Sequence, residues 1–162
     1  MLALEVQKAS FDENFTFSTS ILTLTVRHLL SPRLVVEGEL PYVHEGKTSG
    51  GTSNLIGNPY LGVALTRTGS GWVGDFGVRL PLADTSGDDD GATAVGFYSY
   101  YDRGEAYLRD IWSVAARVGW QSREPSGFQV DVRTGPILWL RTNDSALPRG
   151  SELFLDYGLR AG

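Results

Sequence analysis

The 162-residue chain has no cysteine, one methionine and two histidines. Without thiols it can form neither a disulfide nor a thiolate zinc site, and cysteine redox chemistry is excluded. Two histidines leave little for a transition-metal centre. No stretch approaches the roughly eighteen consecutive apolar residues of a transmembrane helix, but a membrane-spanning strand needs only ~10 alternating residues and is not excluded. Lys/Arg clusters are also missing, and with a net charge of −5 and a pI near 5.0 the chain lacks the basic footprint of a nucleic-acid binder. The opening "MLALEVQKAS" has no basic n-region, apolar h-region or small-residue cleavage site, so no export signal can be read from it.

What is present is glycine, twenty of them, with 11% aromatics and no long Ala/Leu/Glu/Lys run, which predicts many short strands joined by turns. The length suits a single domain over 1–162. Two-residue alternation predicts eight strands, near 2–8, 15–28, 33–43, 59–67, 72–82, 108–122, 127–140 and 152–160. Each carries one apolar face, as in Leu61-Val63-Leu65, Trp112-Val114-Ala116-Val118-Trp120 and Leu153-Leu155-Tyr157-Leu159. The opposite face carries Arg27, Glu37, Glu39, Asp75, Arg79, Arg117, Asp131, Arg133, Asp156 and Arg160, acids and bases in near balance.

Two architectures share this pattern. Either the apolar face is the inside of a soluble, lipocalin-like barrel that binds an apolar ligand, or it faces lipid and the charged face lines a lumen. Connection lengths favour the second. The links at 29–33, 67–71 and 123–126 are short, whereas those at 44–58, 83–107 and 141–151 are long and polar, the asymmetry of an up-and-down membrane barrel. Aromatic positions agree: Trp72, Trp120 and Phe128 fall beside short turns, Tyr42 and Trp112 near the long connections, as the two interfacial belts require. The expectation is an all-β, antiparallel up-and-down transmembrane β-barrel of about eight strands. Residues 83–107 are expected to be an outer loop with room for a short helix.

Catalytic signals are weak. No G-x-S-x-G elbow presents a nucleophile, and His28 falls on the apolar face beside a turn. Asp84, Asp88, Asp89 and Asp90 form a solvated acidic loop without the spaced ligands of a calcium loop. "GKTSGGTSN" lacks phosphate-loop spacing and "GNPYLG" reads as turn chemistry. No catalytic residue, metal or cofactor is expected. In a barrel of eight strands the arginines and acids of the polar face would pair and fill the interior; in a wider one they would line a path for a polar or aromatic solute.

Four segments, "VVEGELPYVHEG", "GNPYLGVAL", "FGVRLPLADTSGD" and "LFLDYGLRAG", resemble the outer-membrane β-barrel family associated with the meta-pathway of phenol degradation. The resemblance spans most of the chain from about residue 15. It implies a location in the bacterial outer membrane, contact with its lipid, and a porin-like channel or transporter for small, aromatic or hydrophobic solutes, with no catalytic residues to carry over. The chain departs from that family in its start, in its shorter length and in ending on Arg160-Ala161-Gly162 instead of an aromatic residue. Those departures lead to the expectation of a partial chain with further strands. A structural membrane barrel without transport is the remaining alternative.

Overall fold

Alternation along the chain becomes, among the described residues, nine β-strands in one antiparallel sheet. A computed structural model of the chain describes residues 1–8, 19–46, 51–67, 69–83, 90–99, 101–123, 129–142 and 151–161. The strands are β1 (Leu2–Lys8), β2 (Ser20–Ser31), β3 (Leu34–Gly46), β4 (Thr52–Ile56), β5 (Tyr60–Leu65), β6 (Gly71–Arg79), β7 (Ile111–Arg123), β8 (Gln129–Arg141) and β9 (Glu152–Ala161). Helix α1 (Asp90–Ser99) and a 3-10 helix (Tyr101–Tyr107) lie between β6 and β7.

Along the main path the strands pair in the order β1-β2-β3-β5-β6-β7-β8-β9, and among the described residues β4 pairs with β3 alone. The all-β, antiparallel, up-and-down class is therefore as expected. Closure is not: among the described residues β1 pairs only with β2, and β9 only with β8. Eight strands on the main path leave β1 and β9 antiparallel to one another, the relative direction that closing the sheet would need.

The tight turns explain themselves locally. Between β2 and β3, Pro32 presets the backbone, while the Ser31 Oγ accepts bonds from the Arg33 and Leu34 amides (3.3 and 3.2 Å). Between β5 and β6, Gly71 takes a φ of 143°, which a side chain would disfavour. The Gln121 amide, reaching across from β7, donates to the Arg67 and Gly69 carbonyls (2.6 and 2.8 Å) and satisfies that turn from the side.

One expectation for the long connections is corrected. Residues 44–58 are not all loop, because β3 runs on to Gly46 and its last five residues pair with β4 in a hairpin, Tyr42↔Ile56 through Gly46↔Thr52. Residues 83–107 do contain the short helix expected there, ten residues long, followed by a 3-10 helix. Both features build one small apolar core of Ile21, Val43, Leu55, Ala83, Ala92, Val95, Ala106 and Tyr107 at the long-connection end of the sheet. The segments predicted at 15–18 and 127–128, and the acidic residues Asp84, Asp88 and Asp89, lie outside the described residues.

Candidate functional site: a polar trough and a helical insertion

Strand pairing places the charged positions in rows. Arg27 lies opposite Glu37, Asp75 opposite Arg117, Gly119 opposite Arg133 and Asp131 opposite Arg160. Curvature turns this face inward, around a cavity of about 590 Å³ lined by residues of β2, β3 and β5 to β9 together with Glu105 of the 3-10 helix. Nine of the ten predicted lining residues, all except Arg160, border it. Nothing is described of the Arg160 side chain.

The expected pairing is specific. Arg27 Nε meets Glu37 at 2.8 Å, Arg117 spans Asp75 (2.8 Å) and Asp156 (3.1 Å), and Arg133 meets Asp131 (2.8 Å) with Asp75 at 3.8 Å. Arg79 is different, because it is buried and joins two elements. Its Nη2 donates to Glu39 of β3 (3.1 Å), its Nε to Glu105 (3.3 Å) and its Nη1 to the Asn58 carbonyl (3.1 Å). The guanidinium also stands 5.3 Å from the Tyr60 ring centroid, a cation–π arrangement. That ring lies flat over Gly62 and Gly77, a paired row in which any Cβ would collide with it.

Sequence reasoning missed the seat of the helical insertion. Asn58, fully buried, donates to the Glu105 and Leu108 carbonyls (3.0 and 2.7 Å) and accepts from the Ala83 amide (2.7 Å). Its own amide donates to the Ala106 carbonyl at 2.6 Å. Every polar atom of this asparagine is thereby used, so "GNPY" is a clamp and not only a turn. On the other side, the Ser53 hydroxyl donates to the buried Glu45 carboxylate (2.6 Å) and accepts from the Ala92 amide (3.2 Å). Tyr107, fully buried, packs against Gly57 and against Gly96 of α1. Burial pushes the Glu105 carboxyl above its ordinary 4.5, an effect that the neighbouring Arg79 only partly offsets. A legible signal existed for Tyr60, an aromatic two residues before a glycine on the polar face; a buried asparagine has no such mark.

The other face is apolar and uncovered. Leu61, Phe76 and Val118 are about half exposed, and Leu2, Trp72, Leu153, Leu155 and Leu159 are more than two-thirds exposed. Of the predicted interfacial aromatics, Trp72 and Trp120 face each other in one row at the short-turn end, and Trp112 stands at the opposite end of β7. Tyr42 is half-buried, its hydroxyl donating to Asn54 at 2.7 Å; Phe128 lies outside the described residues. From Trp120 to Trp112 is eight residues, about 26 Å along an extended strand and less once tilted, close to the ~25 Å apolar band of membrane barrels. Among the described residues no helix is long and apolar enough to cross a membrane, and no cluster of metal-binding side chains occurs.

Comparison with protein-family models, curated proteins and solved structures returns no match.

Proposed function

We propose that this chain forms the wall of a β-barrel in the bacterial outer membrane, its polar trough serving as the path of a channel or transporter for small solutes. One observation carries the reading: a continuous row of apolar side chains stands uncovered on the outer face, between tryptophans at two levels, while the charges turn inward. A soluble protein rarely leaves an apolar patch of that extent open to water. A lipocalin-like barrel needs the reverse orientation, with its Leu and Val face around the ligand.

In lipid, the edges of β1 and β9, which have no second strand partner among the described residues, must also be paired, because unsatisfied backbone groups are not tolerated in hydrocarbon. The resemblance to the phenol-degradation barrels adds the solute class, small aromatic or hydrophobic compounds entering a polar, arginine-lined interior. The test is refolding into detergent and liposomes. The expected product is a β-rich species that floats with the vesicles and migrates differently on gels before and after boiling. A β-rich monomer stable in plain buffer would sink the proposal.

A further inference from the structure

Among the described residues that border the trough, only Glu105, from the insertion between β6 and β7, lies outside the strands and the turns that join them. The insertion's polar attachments are arranged unequally. Arg79, on the wall, holds Glu39 of the wall and Glu105 of the insertion. If the insertion left, Arg79 would keep Glu39 and the Tyr60 ring, so the wall would retain no orphaned cation. Glu105 would pass from a desolvated position into water. Apolar packing of similar volume is often at least as stable as a buried ion cluster, so a charged seat is a poor choice for a permanent seal and a suitable one for a seal that opens.

We propose that α1 and the 3-10 helix form a displaceable plug at the long-connection end of the trough, and that its docking onto Asn58 and the Glu39–Arg79–Glu105 cluster controls access to the trough. Displacement moves the Asn58 bonds to Glu105, Ala106 and Leu108 to water while the bond to the Ala83 amide persists. Tyr107 leaves Ile21, Val43 and Leu55 together with α1, because its ring packs directly against Gly96 of that helix. The plug thus moves as a unit. The inference rests on the trough being the solute path, and its test separates the two.

The absence of cysteine makes the test clean. In the unmodified protein the Ala92 amide donates to the Ser53 hydroxyl at 3.2 Å, which brings the two positions together, so oxidation of a Ser53→Cys, Ala92→Cys double variant should lock α1 to β4. Conductance of the reconstituted protein in planar bilayers is compared before and after reduction, alongside amide hydrogen exchange of residues 90–107 in the unmodified protein. The expected result is at least tenfold higher conductance after reduction, with exchange of 90–107 faster than that of the β6 and β7 amides. Equal conductance in both states overturns the gate. Exchange of 90–107 only at the rate of the sheet overturns displacement, whatever the conductance. If neither state conducts, and replacing 90–107 by a Gly/Ser linker opens nothing, the trough as a solute path falls; faster exchange of 90–107 would then still support displacement.

Discussion

Asn58 and Tyr60 stand two residues apart and do unlike work. Asn58 satisfies three backbone groups of other segments, so Asn58→Ala takes the side-chain partner from one buried carbonyl, one half-buried carbonyl and one buried amide. Each costs ~1–3 kcal/mol, and partial relaxation should leave a net loss of about 2–4 kcal/mol, read as a lower urea midpoint in detergent micelles. An unchanged midpoint would mean that water replaces the side chain. Tyr60 acts by shape, its ring occupying the space that Gly62 and Gly77 leave open on adjoining strands. Gly77→Ala should therefore cost ~1–3 kcal/mol by overpacking. Adding Tyr60→Ala should make the double variant more stable than the sum of the two single losses predicts, because the collision exists only when ring and methyl are both present. Strict additivity would refute the fit.

At the scale of elements, the plug and the strands differ in how far the chain announces them. Strands β5 to β9 were legible because one face of each is apolar with few interruptions (Gly74 in β6, Thr134 in β8), and the register keeps like with like: Val36, Val63, Phe76 and Ala116 form a single row across four strands. Strand β4 was hidden because "TSNLI" is short and polar, and it pairs only with an extension of β3 that a sequence reader ends at Val43. Helix α1 was blurred by Gly91 and Gly96, which weaken helix propensity, and its stability comes from packing on β3 and β4. The arginine–acid rows were foreseeable from strand position alone. Glu105 was not, because only the tertiary fold brings it to Arg79.

That placement of Glu105 gives docking a pH dependence with a fixed sign. Its carboxyl takes up a proton more readily when docked than when released, the docked value being raised above 4.5 by burial. Its contribution to docking is then fully present below the ordinary carboxylate value and is lost as pH rises through the raised one. Protection of the 101–108 amides, corrected for intrinsic exchange, should fall between acidic and neutral pH, and Glu105→Gln should flatten the curve while Arg79 keeps Glu39. Protection that rises with pH would contradict this.

For the whole molecule, the question is which surface meets water, and adjacent residues can answer it because side chains alternate along a strand. Val63 lies in the middle row of the apolar face, opposite Val36 on one side and Phe76 on the other, halfway between the tryptophan levels. Ala64, the next residue, faces the trough and pairs with Asp75. In a bilayer, Val63→Arg places a charge at the midplane at a cost of ~2–4 kcal/mol, whereas Ala64→Arg puts the same charge beside a carboxylate in a polar interior. Membrane insertion from urea, followed by vesicle flotation, should drop several-fold for Val63→Arg and stay near the unmodified level for Ala64→Arg. Equal insertion of both variants would remove the lipid from the outer face. If Ala64→Arg alone failed, the sheet would be inside out, its Leu and Val side chains turned toward a ligand and its arginines toward solvent. The edges of β1 and β9 bear on the same experiment, since a wall that inserts must first pair them. Loss of insertion in Val63→Arg with an unchanged β-rich spectrum would place the defect at the lipid contact and not in the assembly of the sheet.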